Sequence, residues 1–444
     1  MAPPKTPPYE VRCPMHGSIP FNERERAIID HPLMQRLRSI SQLGFAHLVY
    51  PGATHTRFSH ALGVMHLAGR VFDGIRGRAA GLLDEGFPPE ALDYCRQVLR
   101  FAGLLHDLGH LPFSHSFERL LPERRALSLP EEWFGALDSS RPTRHEDLSV
   151  AMVHALAQED GGLLSLDEAR DVCALIHDEI GPGPGLAEIS AHAPGRDPYP
   201  LLKQIVSGEI DADRMDYLPR DAHFAGVTYG YFDLDRLVRS LSCAESERGL
   251  VMALDQDAVF TYENFLMARF HMAMQVYFHK TLLPFDYFLE QAVREGEVEL
   301  PFDGSMESLL GAREDVLMAR LHAANGSRWA SRIVERRPVV RLYRLDEAEG
   351  DERREAIQGA LEAAGIETIH IREKRRLSTL GSPTAGAAAP ILVREQVLGS
   401  ARMRPLEEVS LLLQRYNRTF VIENFYCDPA DYPRAVEALR RVVD

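Results

Sequence analysis

Three histidines and an aspartate fall within ten residues, His106-Asp107-Leu108-Gly109-His110-Leu111-Pro112-Phe113-Ser114-His115. Imidazole titrates nearest neutral pH, and a vicinal His-Asp pair at a helix end can turn both donors into one pocket suited to a divalent metal. A single histidine is usually structural and a His-Asp dipeptide is common by chance, so the clustering is what asks for an explanation. Thirteen of the 18 histidines lie in the first 192 residues. A metal needs further ligands. His60, in Thr56-Arg57-Phe58-Ser59-His60, sits at a predicted helix start, and Asp213 sits in the polar run Asp211-Ala212-Asp213-Arg214-Met215-Asp216-Tyr217. With His106 and Asp107 they would make a two-histidine, two-carboxylate set with positions left for water. The run 211–217 reads at least as readily as a solvated helix face with i,i+3 pairs.

The elements that must position these groups are mostly helices. Ile28, Ile29, Leu33, Leu37, Ile40 and Leu43 recur at helical spacing from Glu23 onward, with His31-Pro32 starting a second helix. Phe58, Leu62, Met65, Leu67 and Val71 give another helix, and Leu92, Cys95, Val98, Leu99, Ala102 and Leu105 a third, stopped by Pro112 just past the histidine cluster. Helical patterns follow at 146–158, 167–180, 201–219, 233–242 and 257–294, so nearly everything before residue 300 is expected to be helical. Beyond it, Val339, Val340, Leu342 and Tyr343 alternate with arginines, and Ile369, Ile371, Ile391, Leu392 and Val393 predict short strands. The expected fold is mainly α: a flexible lead-in over 1–8, a helical core over 9–300 and a smaller mixed α/β lobe over 301–444. Gly381–Pro390 is low in complexity and is expected to be a flexible tip or linker.

Composition narrows the function classes. With 50 Lys+Arg against 65 Asp+Glu over 444 residues, the formal charge of −15 argues against bulk nucleic-acid binding as the main purpose, although local basic patches allow some. The five cysteines are dispersed and form no CxxC pair, which fits a reducing cytoplasm. No segment approaches a membrane span, and the N-terminus lacks an apolar signal core, so a cytoplasmic protein without membrane contact is expected.

The order His60, His106-Asp107, Asp213 resembles the HD-domain phosphohydrolases, named for that dyad. The segments 35–44, 45–63, 104–115, His145-Glu146 and 211–221 are similar to the deoxynucleoside triphosphate triphosphohydrolases, most of all to the branch that carries a sterile-alpha-motif domain. Such a domain is not expected ahead of this one. The resemblance covers about residues 9–300 and makes the expected core an HD domain. It implies release of a deoxynucleoside and intact inorganic triphosphate from a dNTP, with His60, His106, Asp107 and Asp213 holding Mn, Fe, Co, Mg, Zn or Ni.

His110, His115 and His145, with Glu146, are the acid/base candidates, and the resemblance ranks His115 first as donor to the leaving oxygen. It also implies that Arg57, Arg214 and Arg269 contact phosphates. By the same resemblance Tyr217 and Asp221 bracket the sugar, Asp221 and Gln42 bind the 3′ hydroxyl, and Leu43 and Tyr277 exclude a 2′ hydroxyl. Arg214 replaces a lysine of the relatives, a fork in place of a point charge. Where they carry a histidine and a glutamine, this chain has Ala273 and Phe278.

Relatives also hold an allosteric nucleotide between subunits. Asp30 and Arg38 match its base-reading positions, but Tyr9, Asp255 and Asp257 stand at its basic phosphate positions, so that regulation is expected to be altered or absent while a dimer or tetramer is still expected. The basic segments Arg336, Arg337, Arg341, Arg344 and Lys374-Arg375-Arg376 read either as a solvated packing lobe or as a nucleotide- or single-strand-binding surface. A hydrolase acting on another nucleotide, and a nucleotide-sensing regulator, are the competing readings.

Overall fold

The computed structural model describes residues 9–443 except 114–117, 119, 136–137, 160, 301, 347–348, 379, 381–388 and 399. The expected lead-in 1–8, most of the low-complexity tip and His115 lie outside the described residues.

The mainly helical fold with a smaller sheet-bearing C-terminal region is as expected. Its axis is the helix Arg57–Arg78, buried on almost every side through Phe58, Leu62, Met65, Leu67, Val71 and Phe72. Pro89–Leu105 and Ala212–Ala225 both pack against it. Pro89 begins the first of these partners at the one turn where a missing N–H costs nothing. Asp211 caps the second by accepting from the Arg214 amide at 2.8 Å, and Gly226 ends it in the left-handed region at φ 71°.

Several helical expectations resolve into shorter pieces. Glu23–Asp30, under a capping box from Asn22 and Glu25, stops at His31; Pro32–Gln35 restarts the helix, and a 3₁₀ turn follows at Arg36–Ser39. The span expected as one helix over 201–219 breaks at residues 208–211, between Tyr199–Ser207 and Ala212–Ala225. The span 257–294 divides into Val259–Met272, a π-helical turn Ala273–Tyr277 and Leu283–Arg294.

Two hairpins contradict the nearly all-helical reading of the first 300 residues. Tyr9–Cys13 pairs antiparallel with Gly17–Phe21, and Leu241–Ser246 with Gly249–Asp255. In the second, the strand Gly249–Asp255 is apolar on both faces from Leu250 to Leu254, which hides the period-two signal. Gly249, at φ 108°, makes its turn and approaches the Asp197 backbone too closely for a side chain.

The C-terminal segment returns to this core. Leu392–Val397 pairs parallel with Gly249–Asp255, and Ser400–Pro405 closes a four-stranded sheet. A second sheet is antiparallel, with Thr419–Cys427 between Val340–Leu345 and Thr368–Arg376. Gly350–Ala363 and Tyr432–Val443 cover one of its faces through Ile357, Leu361, Ala435 and Leu439, while Ile369, Ile371 and Tyr426 join the main core from the other. Among the described residues no helix is long and apolar enough to cross a membrane, and all five cysteines are free thiols.

Candidate active site

Two helix starts and one helix end converge. His60 lies in the first turn of Arg57–Arg78, His106 caps the C-terminus of Pro89–Leu105 with Asp107 next to it, and Asp213 lies in the first turn of Ala212–Ala225. His60 Nε2 is 3.0 Å from Asp213 Oδ1 and 3.8 Å from Asp107 Oδ2. His106 Nε2 is 3.3 Å from Asp107 Oδ1 and 3.6 Å from Asp213 Oδ1. His60, His106 and Asp213 each offer a donor atom, all within 4.8 Å of one another. Asp107, His110 and His145 form a second such group. All four residues expected to be ligands therefore meet in one place.

The ring nitrogens are sorted by their outer neighbours. His60 Nδ1 is 2.7 Å from Asp216 Oδ2, and His106 Nδ1 donates to the Gly103 carbonyl at 2.9 Å, so Nε2 of both rings points inward. Asp216 is itself fully buried and takes two hydrogen bonds from Arg220, at 2.7 and 2.8 Å, and lies 2.6 Å from His16 Nε2. Gly63 makes room for this pair, since a Cβ there would collide with the Asp216 carboxylate. The loop after the dyad is pinned by buried Arg36, which donates to the carbonyls of Leu108 and His110 at 2.6 and 2.8 Å. Ser149 accepts from the Gly109 amide and donates to the His106 carbonyl.

Burial opposes charge on every group here, and the neighbours decide the outcome. Asp213 and Asp216 outweigh the desolvation of His60 and raise it to about 10. His106 is also raised, by Asp107 and Asp213. Asp107 and Asp213 are both lowered against their burial, the first by His106 and Arg57, the second by His106 and His60. A divalent cation taken up by these groups would compete with their protons.

Beside this cluster His110 and His145 stack at 3.9 Å between ring centroids. Burial, then Arg57 and His145, hold His110 well below the usual imidazole range; a hydrogen bond to Glu118 raises His145 against its burial. The two adjacent imidazoles are thus shifted in opposite directions. Glu146 Oε1 is 3.5 Å from His145 Nε2.

A cavity of about 490 Å³ extends from the cluster. Gln42, Leu43, Tyr217, Asp221 and Tyr277 line it, and so do Arg57, Asp107, His110, His145, Glu146 and Asp213. Asp221 is held on both oxygens, by His55 Nε2 at 2.8 Å and by the Tyr277 hydroxyl, which donates at 2.8 Å. The π-helical turn ends on Tyr277 and so sets its reach. Gln42 Oε1 is buried with no hydrogen-bond partner among the described residues.

The three expected phosphate-contacting arginines are each tied to a carboxylate: Arg57 to Asp107, Arg214 to Asp211, and Arg269 to Glu209 at 2.9 Å. Arg214 and Arg269 are not among the lining residues; Ala273 and Phe278 are. Asp216, Arg220, His16, Arg36, His55 and Glu118 were not anticipated. For the first two a signal existed, because Asp213, Asp216, Tyr217 and Arg220 recur at i, i+3, i+4 and i+7 on one helix face. The residues matched to the allosteric site are engaged within the chain: Asp30 with Arg26, Asp255 with Arg78, Tyr9 with Glu23, and Arg38 stacked 3.7 Å over Phe58.

The HD-domain model matches residues 57–221 and the HD-associated-region model matches 232–345. The chain is 35% identical over 248 residues to the uncharacterized protein YwfO of Bacillus subtilis, covering 55% of this chain and 46% of that protein. It is 33% identical over 285 residues to the human deoxynucleoside triphosphate triphosphohydrolase SAMHD1, covering 61% and 42%. It spans about half the length of the curated relatives it matches. Among solved structures, a hypothetical protein from Aquifex aeolicus superposes with a TM-score of 0.71 at 25% identity, over 97% of this chain and 99% of that one. A phosphohydrolase from Bacteroides thetaiotaomicron shares the fold, with a TM-score of 0.67 at 23% identity over 95% and 99%. The chain thus carries an HD domain followed by an HD-associated region, with the histidine–aspartate cluster formed inside the span that the HD-domain model matches.

Proposed function

We propose that this chain is a metal-dependent deoxynucleoside triphosphate triphosphohydrolase that converts a dNTP to a deoxynucleoside and intact inorganic triphosphate. The observation that carries the reading is that one cavity runs from Asp107 and Asp213 of the donor set to Asp221 and Tyr277, which His55 backs, beside Leu43. The sequence kinship to proteins named as dNTP triphosphohydrolases supports it.

The donor set fits a divalent cation. Imidazole and carboxylate suit borderline first-row ions, and His106 Nε2 is buried without a hydrogen-bond partner among the described residues. Bound there, Mn, Fe, Co, Mg, Zn or Ni would supply Lewis acidity toward the phosphate and ease deprotonation of water.

The chain's own residues do the rest. Asp221 accepts from the 3′ hydroxyl while the Tyr277 hydroxyl fixes its second oxygen, and Gln42 offers an unpaired oxygen for the same group. Leu43 and the Tyr277 ring exclude a 2′ hydroxyl, because a polar group pressed on an apolar wall loses its hydration. Arg57, Arg214 and Arg269 exchange their carboxylate partners for phosphate oxygens. A water oxygen bonds to the α-phosphorus as the bond from that phosphorus to the 5′ oxygen breaks; the water's proton passes to His110, held low by burial, and the 5′ oxygen takes a proton, assigned to His115, with His145, raised by Glu118, completing the relay. Assembly into a dimer or tetramer, altered allosteric control and a cytoplasmic location belong to the same reading.

Incubation with each dNTP and NTP in Mn²⁺, Fe²⁺, Co²⁺ or Mg²⁺, followed by chromatography of the nucleoside product, tests it. The expected result is deoxynucleoside from dNTPs and little from NTPs. Equal turnover of both overturns the sugar selectivity and favours a hydrolase of other nucleotides. Tight binding without turnover favours a regulator.

A further inference from the structure

The cavity has one more cation, and it comes from the C-terminal lobe. Arg375 lies on the strand Thr368–Arg376, opposite Phe420 of the central strand, and lines the cavity with Tyr217 and Tyr277. Strand alternation places it on the side of Ile369 and Ile371, which are 7% and 8% exposed and belong to the main core. Arg372 and Lys374 alternate with it and are exposed.

A charged residue at an inward, half-buried position normally acquires a carboxylate partner. Arg57, Arg214 and Arg269 each have one. Among the described residues Arg375 makes no hydrogen bond or ion pair, and it stands close enough to Arg269 for the two charges to oppose each other. An anion bound in the cavity would give Arg375 the partner it lacks and offset that opposition.

We propose that Arg375 is a substrate-binding residue, its guanidinium contacting the terminal phosphates of the bound nucleotide from the C-terminal lobe. This rests on the triphosphohydrolase reading for the nature of the substrate. It also gives the lobe a part in the site: the strand's inner face serves the cavity, while Lys374 on its outer face does not.

Calorimetric titration with inorganic tripolyphosphate, and separately with a deoxynucleoside, tests the proposal on wild type, Arg375→Ala, Arg375→Lys and Lys374→Ala. Arg375→Ala is expected to weaken tripolyphosphate about tenfold or more, the weight of a charge-assisted hydrogen bond, and to leave the deoxynucleoside unchanged. Arg375→Lys should recover part of the loss and Lys374→Ala should match wild type. The proposal is overturned if Arg375→Ala binds tripolyphosphate as wild type does. Equal loss of both ligands, or the same loss in Lys374→Ala, overturns it as well. A protein that hydrolyses no dNTP would defeat the functional reading while these titrations still decided on Arg375.

Discussion

At the histidine–aspartate end of the cavity, the donors His60, His106, Asp107 and Asp213 are surrounded by groups that leave each one little choice. Asp216 and the Gly103 carbonyl turn the two rings, Arg220 and His16 hold Asp216, and Arg36 and Ser149 hold the loop. At the other end, Asp221 and Tyr277 are fixed on each other, while Arg57, Arg214 and Arg269 are satisfied by carboxylates and Arg375 has no hydrogen-bond or ion-pair partner among the described residues. One end is organised before any ligand arrives. On the triphosphohydrolase reading proposed above, the other end would gain its organisation from the ligand, whose phosphates would replace those carboxylates.

If the first end is the chemical one, its removal has the largest effect. Asp107→Ala should abolish metal retention, read by elemental analysis, and lower turnover about a thousandfold or more. A metal-loaded, active variant would break the comparison at its root. Asp216→Asn tests preorganisation itself: metal affinity should fall about 10- to 100-fold, while the melting temperature reports any loss of packing separately. At the other end Tyr277→Ala should leave metal affinity intact and reduce discrimination between dNTP and NTP about tenfold. Unchanged discrimination would remove Tyr277 from the gate.

A smaller effect separates both ends from the scaffold beside them. Asp147 is fully buried, receives Arg141 at 2.9 and 3.0 Å and the Arg144 amide at 2.8 Å, and lies 3.1 Å from His177. Burial raises its carboxyl, but His177, the Arg144 amide and Arg141 hold it down at about 2 against an ordinary 3.8. A lowered carboxylate stabilises the fold above its ordinary value and loses that contribution as pH falls through the folded value. Asp147→Asn should therefore cost about 1–2 kcal/mol at neutral pH and flatten the acid limb of stability between pH 4 and 2. Metal affinity should not change.

The same contrast explains what was legible beforehand. His60, His106, Asp107 and Asp213 announce themselves because metal ligands come from a short menu of residue types and sit at helix ends marked by capping and proline. Their helices, Arg57–Arg78 and Pro89–Leu105, follow from apolar spacing. The supporting groups are quieter. Asp216 and Arg220 resemble any i,i+4 surface pair until burial is known, and His16 reaches them from a hairpin that the helical reading of the N-terminal region missed. In the hairpin 241–255 the run Leu250–Leu254 is continuously apolar and buried, so no period-two alternation marks it as a strand. Arg375 had been read as part of a basic surface stretch; only the pairing register of its strand shows which of three neighbouring cations faces inward.

The central claim is cleavage between the α-phosphorus and the 5′ oxygen. Hydrolysis of a dNTP in ¹⁸O-labelled water, followed by ³¹P resonance and mass analysis, tests it most directly. The account predicts intact inorganic triphosphate carrying one ¹⁸O atom and an unlabelled deoxynucleoside. Pyrophosphate or orthophosphate as the first phosphorus product, or label in the deoxynucleoside, would contradict it.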